Sequence, residues 1–352
     1  MKAIQVHQFM DLPSSLQEDG KVDALLSING DVPKPTTLKK NQMLVRVLAC
    51  SLSPGDVIMV QGNMIFMHQP FPFIPGMDIC GEVVDSNGSS NFKNDDVVVA
   101  SNGLSPVGGM AEFMAIDMGE AAILPHGVSR EQGASSSSAV TARNAVMDYV
   151  KAGDRVLILG GSGGVGSAAI QIAKTHAKAS FIAVTSTQLD LCEELGADRV
   201  INYNDVDWWT VEEYQRKKFD VVIDTVGGGN FYGRAEKVLK TGKEGGTFVA
   251  VTGDDPQPDC STAWKVMKFF GYMLTNVIYT KLKTRTLANY VPLYPYDLAK
   301  SRKEVLEWME QGTLTIKLDG DPLPFTVAGA REAFIKVGSH HAHGKVVVKI
   351  AE

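Results

Sequence analysis

Hydrophobic positions change their period along the chain, and the changes divide it into three stretches. Over residues 1–127 they come in short alternating or continuous runs, at 43–49, 79–84, 97–100, 111–115 and 121–124. Turn residues separate the runs: Ser-Leu-Ser-Pro-Gly at 51–55, Pro70, Pro72 and Pro75, a polar loop at 85–96, and Pro125-His-Gly127. This spacing predicts a compact β-rich domain rather than helices. Over residues 128–295 the pattern alternates between strand-like and helical periods. Strands are expected at 155–159, 180–185, 199–202, 219–224 and 246–252, with helices at 167–177, 189–195 and 231–239. Strands alternating with helices imply an α/β domain with a parallel sheet and right-handed crossovers. The last stretch, 296–352, carries a helix at 328–337 and a β-branched strand at 344–350, which is expected to rejoin the first domain.

One apolar segment stands apart. Residues 264–280 are shorter than the ~20 needed to span a bilayer and include Lys265 and Lys268, so no crossing is expected. Val266, Phe269, Phe270, Met273, Leu274, Val277 and Ile278 fall on one broad helical stripe. Packing against the core or a subunit partner is the expectation. Attachment to a membrane surface is the alternative, kept open by Lys281, Lys283 and Arg285 just beyond.

Charge and cysteine usage narrow the class. With 34 basic and 40 acidic residues the net charge is −6, which gives no basic face for nucleic acid. A hydrophobic share of 44% against 21% charged residues excludes disorder as the main state. Cys50, Cys80, Cys192 and Cys260 are too scattered for a disulfide framework or a paired zinc knuckle, so a reducing compartment is expected. Residues 1–20 lack the features of a secretory signal, and the cytoplasm is the default location.

The strongest local signal is Gly161-Ser162-Gly163-Gly164-Val165-Gly166, directly after the strand at 155–159 and opening a helix. In this context Gly161 is expected to make the tight turn and Gly163 to let backbone approach a pyrophosphate. Gly166 is expected to allow close packing of helix on strand. The free N–H groups at the helix start would hold the phosphates of a dinucleotide. An NAD site usually adds a carboxylate at the end of the second strand, and here that strand ends in Thr185-Ser186-Thr187. Three hydroxyls and no carboxylate favour NADPH.

Several segments together resemble the medium-chain dehydrogenase/reductase superfamily, in its zinc-independent quinone oxidoreductase branch that includes zeta-crystallin-like proteins. They are Ala49-Cys-Ser-Leu-Ser-Pro-Gly-Asp56, Ile74-Pro-Gly-Met-Asp-Ile-Cys-Gly-Glu-Val83, Gly108-Gly-Met-Ala-Glu-Phe113 and Thr141-Ala142. The glycine turn follows, then Leu195-Gly-Ala-Asp198 with Ile201-Asn-Tyr203, Val221-Val-Ile-Asp-Thr-Val-Gly227 and Gly344-Lys-Val-Val347. The resemblance implies a GroES-like β-rich catalytic domain built from both chain ends, 1–127 and 296–352, around a Rossmann NADP-binding domain at 128–295. It implies hydride transfer from NADPH to a quinone or to the β-carbon of an α,β-unsaturated carbonyl, and a homodimer or homotetramer. Zinc-dependent members carry a cysteine where this chain has Ser53, and a histidine followed by Glu where it has Met77-Asp78. These residues cannot form a thiolate–imidazole site, so no metal is expected. His340, His341 and His343 read as a solvated loop.

The resemblance also assigns residues. Ser53 stands where the family often has Asn beside the nicotinamide, with a turn residue before Pro54 as the alternative. Thr141 would contact the carboxamide or cap a helix, and Tyr203 would lie near the adenosine phosphate or in the core. Val226 and Gly253 end strands at the carboxyl edge, where ligands of open α/β sheets bind. Lys345 would reach the cofactor or stand exposed beside its strand. Asp224 sits close to the sheet, and Cys50 and Cys80 read as buried small hydrophobes. Where family members often have a Tyr this chain has Met64, so no general acid is named. Met64, Phe66, Met67, Phe71 and Phe73 would make an apolar substrate wall in a cleft between the domains. The rival reading is an NADPH-binding, membrane-associated or regulatory protein with little turnover.

Overall fold

The computed structural model describes residues 1–10, 25–63, 65, 69–101, 108–228, 230–242, 245–252, 259–282, 288–293 and 298–351. Of residues 272, 273, 276, 277 and 279–282 only the backbone is described. Contacts divide the chain into two units, one of Met1–Ser137 with Leu298–Glu352 and one of Ser138–Asp297.

In the first unit β1 (Ala3–Val6) and β2 (Leu26–Asn29) form an antiparallel pair. The main sheet uses β3 (Gln42–Leu52), β4 (Asp78–Asp85), β5 (Val97–Ser101), β6 (Phe113–Asp117) and β7 (Ala121–Ile123). β3 runs three residues past the expected end at Ala49, because Cys50 and Ser51 are paired on both edges and Leu52 is paired with Val346 on one. Only then does the Ser-Pro-Gly break act, and helix Pro54–Val60 begins. Met43, Val45, Val47, Ile79, Val98 and Ile116 point into one core.

The second unit holds β8 (Arg155–Leu159), β9 (Phe181–Thr185), β10 (Arg199–Ile201), β11 (Val221–Asp224), β12 (Thr247–Ala250) and β13 (Asn289–Pro292). All pairs are parallel, in the order β10-β9-β8-β11-β12-β13. The order reverses beside β8, which creates the crevice of a doubly wound fold above the carboxyl ends of β8 and β11. The strand cores, including Leu157, Ile158, Ala183, Val222, Ile223 and Phe248, are fully buried, as a sheet covered on both faces requires.

Helix Ala263–Leu282 spans the segment of the expected stripe. Val266 and Phe269 are half-buried, while Phe270, Leu274 and Ile278 are exposed together with Trp264 and Met267. No helix among the described residues is long and apolar enough to cross a membrane.

The chain then returns to the first unit. β14 (Leu323–Pro324) pairs with β15 (Val346–Lys349), and β15 lies antiparallel against β3, matching Val346 to Leu52 and Val348 to Cys50. Between them helix Val327–Gly338 is capped by Thr326 and buries Ala330, Ala333 and Phe334.

Candidate functional site

The glycine turn is built as a cradle. Gly160, at φ +82°, makes the tight turn, and that role does not fall to Gly161. A Cβ on Gly161 would lie 2.0 Å from Val184 Cγ1, so this glycine serves packing on β9. A Cβ on Gly166 would lie 2.1 Å from the Gly160 carbonyl oxygen, so the helix start must bear glycine to approach the turn. Gly163 differs: its Cβ would meet nothing nearer than 3.6 Å. Gly163 is the N-cap of helix Gly164–Thr175, whose first-turn N–H groups on Gly164, Val165 and Gly166 have no intrahelical partner. The helix starts three residues before the expected 167, so the whole motif lies at its positive end. Ser162 is buried inside the turn.

At the end of β9 the three hydroxyls part ways. Thr185 and Ser186 are buried. Thr185 Oγ1 accepts from Gly160 N–H at 3.1 Å, and its carbonyl oxygen accepts from Gly160 and Gly161. Thr185 thus fixes the glycine turn, and Ser186 Oγ accepts from Gln188 N–H at 2.9 Å. Thr187 is the one of the three that is half-buried rather than buried. Register pairs Thr185 with Ile201, which brings Tyr203 to the same edge as Thr187. Tyr203 is 45% exposed and so is not a core residue. Val226 is exposed after β11, where Asp224 Oδ1 accepts from the N–H groups of Val226 and Gly227. That bonding gives Asp224 a structural role. Thr141 lies inside helix Ser136–Met147 and is not its cap. Gly253, Met64, Phe66 and Met67 lie outside the described residues.

The first unit gathers a buried polar cluster that the sequence reading missed. Register sets Ser51 opposite Asp78 and Leu52 opposite Val346. The end of β3, the start of β4 and the residue before β15 therefore converge. Ser53 follows β3, and three residues on Asp56 turns back, accepting from Ser53 N–H at 2.8 Å and Ser53 Oγ at 3.0 Å through Oδ2. Its other oxygen accepts from Met77 N–H at 2.9 Å. Asp78 accepts from the Ser137 hydroxyl and faces Lys345 Nζ at 3.8 Å. Lys345 is only 6% exposed, which overturns its expected surface position. Burial, helped by the Asp78 charge, pushes the Asp56 carboxyl up to about 6, against the Ser53 N–H bond and the Lys345 charge. Burial also pushes up the Cys50 and Cys80 thiols, the latter to about 12, so neither is a thiolate. The signal for Asp56 was the Ser-x-x-Asp spacing of a capping box, here ahead of a run of Val and Ile. Ser137 left none.

Phe71 and Phe73 also separate. Phe71 is exposed and meets Phe9 edge-on at 4.9 Å. Phe73 is 5% exposed, joined to Val6 by backbone hydrogen bonds, and belongs to the core rather than to a substrate wall. A cavity of about 290 Å³ opens beside this pair, lined by Phe9, Met10, Gln61 and Asn63, none of which carries the site's chemistry.

A doubly wound dinucleotide unit, inserted into a β-rich unit that the chain's end completes, defines a nicotinamide-dependent dehydrogenase or reductase. Two family descriptions match, the alcohol dehydrogenase GroES-like domain over residues 39–126 and the zinc-binding dehydrogenase over 195–348. NADPH-dependent alkenal/one oxidoreductase of Arabidopsis thaliana is 30% identical over 94% of this chain and 77% of its own length. 2-Methylene-furan-3-one reductase of Solanum lycopersicum is 32% identical over 71% of this chain and 66% of its own length. Among solved structures, the quinone oxidoreductase of Coxiella burnetii superposes with a TM-score of 0.78 at 26% identity, over 99% of both chains. The chain belongs to the medium-chain dehydrogenase/reductase superfamily, in its quinone oxidoreductase-like branch.

The zinc in one family description does not fit these donors. Ser53 is bound to Asp56, Met77 offers a thioether, and Asp78 is engaged by Ser137 and Lys345. No group of three or more metal-binding side chains occurs among the described residues.

Proposed function

We propose that the protein is an NADPH-dependent oxidoreductase that adds hydride to a quinone, or to the β-carbon of an α,β-unsaturated carbonyl, without a metal. The observation that carries this reading is the Ser53–Asp56 pair, a hydrogen-bonding group where zinc-dependent relatives hold their metal. Bound at the glycine turn, NADPH supplies the hydride. The N–H groups of Gly164, Val165 and Gly166 hold the pyrophosphate, with Gly163 leaving room for it. Thr187 and Tyr203 meet the adenosine ribose phosphate, Val226 borders the site, and Thr141 meets the carboxamide. Ser53 bonds the substrate oxygen, where negative charge develops, and Phe71 borders the substrate. The names of the alkenal/one oxidoreductase and the quinone oxidoreductase support the two substrate classes. Four buried cysteines, none of them in a disulfide, suit a reducing compartment such as the cytoplasm.

The test mixes purified protein with NADPH or NADH and a 1,4-quinone, a long 2-alkenal or a saturated aldehyde, with and without chelator. NADPH oxidation by quinone or alkenal, unchanged by chelator, is the expected result. Chelator-sensitive oxidation by the saturated aldehyde alone would overturn the reading.

A second reading is favoured by the exposed face of helix Ala263–Leu282, with Trp264 65%, Met267 63% and Leu274 60% exposed. In it the protein binds NADPH and attaches to a membrane surface, with little turnover. Co-sedimentation with anionic vesicles, lost on Met267→Asp/Leu274→Asp, is its expected result. A homodimer or homotetramer that the same double substitution dissociates would assign the face to a second copy instead.

A further inference from the structure

We propose that Asp56 is the proton reservoir of the reaction, and that Ser53 carries its proton to the substrate oxygen. The inference rests on the NADPH-dependent reduction proposed above and names the acid that reduction needs. Asp56 is fully buried, while Ser53 is half-buried and bonded to it, so the serine hydroxyl touches the carboxyl from a residue that is itself partly accessible. Backbone N–H groups of Ser53 and Met77 clamp the two carboxyl oxygens and keep Oδ2 turned to the hydroxyl.

The clamp makes the direction of one hydrogen bond decide what Ser53 can do. A serine hydroxyl has one proton. With Asp56 ionised, that proton is donated to Oδ2, and Ser53 can only accept from a ligand. With Asp56 protonated, the carboxyl donates to Ser53 Oγ, and the serine proton is free to point at a substrate oxygen. Hydride addition to the β-carbon of an enone leaves an enolate. Its oxygen takes the proton from Ser53 Oγ, and Ser53 Oγ takes the proton from the Asp56 carboxyl. Asp56 is left as carboxylate, and the enol leaves and tautomerises in water. Solvent then returns a proton to Asp56 through Ser53, so one hydride and one proton are consumed per turnover.

The surroundings hold the carboxyl in a useful range. The charges acting on it are Asp78 from β4, which raises its proton affinity, and Lys345 ahead of β15, which lowers it, while burial raises it most. The Cys50 thiol on β3 is held protonated. Helix Val327–Gly338 carries the titratable residues Arg331, Glu332 and Lys336, of which the last two pair with each other. Asp56 therefore titrates at about 6, within reach of neutral pH.

The test compares wild type, Asp56→Asn and Ser53→Ala with NADPH and a 2-alkenal across pH, alongside infrared titration of the carboxyl band in the cofactor-free proteins. Wild-type kcat is expected to fall about tenfold per pH unit above the Asp56 titration. Each variant should lose roughly 10²-fold in kcat and the pH limb with it, the scale of a general acid, with KM for NADPH unchanged. A protonated-carboxyl band fading near pH 6 should appear in wild type and Ser53→Ala and be missing from Asp56→Asn. Should Asp56→Asn fail to fold, Ser53→Ala decides alone. Unchanged kcat and pH limb in a folded variant, or no such band in wild type, would overturn the proposal. A wild type that oxidises no NADPH but shows the band would overturn the functional reading, leaving a buried acid with no proton to deliver.

Discussion

Gly163→Ala leaves stability within a few tenths of a kcal/mol of wild type and lowers NADPH affinity tenfold or more, whereas Gly166→Ala costs about 3 kcal/mol of stability. The first residue has φ −71° and open space where its Cβ would point, so alanine fits the fold. The space it would fill lies where the cradle expects a pyrophosphate, and a tenfold loss corresponds to about 1.4 kcal/mol. The second would place a methyl group 2.1 Å from a backbone carbonyl oxygen, which a side-chain rotation cannot relieve. That is the upper end of overpacking penalties, about 3 kcal/mol or more. Urea denaturation and NADPH fluorescence titration of both variants check the pair. Equal NADPH affinity in Gly163→Ala and wild type would show that no ligand approaches the turn.

Lys345→Met should destabilise the protein by about 3–5 kcal/mol at pH 7, the cost of leaving a buried charge without its partner. Lys345 and Asp78 are both nearly buried, and Asp56 lies fully buried nearby. The effect has a sign in pH. The folded-state value of Asp56 is raised from 3.8 to about 6, so the stability it confers is full below about 4 and is lost as pH rises through about 6. Removing the lysine raises that proton affinity further, so the Lys345→Met penalty should shrink on acidification from pH 7 to 5. Asp78→Asn in the same chain should restore part of the loss. A penalty below about 1 kcal/mol would mean that the pair behaves like a solvated surface bridge.

The switch from short β runs to alternating strands and helices made the doubly wound unit legible, and β8 to β12 lie within a few residues of their expected places. β13 was missed because Asn289–Pro292 is short and ends in proline, which a sheet tolerates at its edge. Which side of helix Ala263–Leu282 stands exposed was not legible, because the segment is apolar nearly all round and periodicity alone does not choose the buried side. In the site, the glycine motif revealed its helix-start geometry, but the tight turn belongs to Gly160, one residue before the motif begins. Hydroxyls at the end of β9 looked alike in sequence; the bonds that Thr185 accepts from Gly160 and Ser186 accepts from Gln188 appear only in the folded chain. A lysine beside a strand reads as exposed, and the carboxylate that draws Lys345 inside comes from the far end of the chain.

Tracing the hydride tests the central claim most directly. The protein would be incubated with a 2-alkenal and NADPH deuterated at the transferable position, in ordinary water with chelator present, and the product examined by NMR. Deuterium on the β-carbon of a saturated aldehyde is the expected result. Deuterium on the carbonyl carbon, giving an allylic alcohol, would contradict the account, as would loss of reaction when the chelator is added.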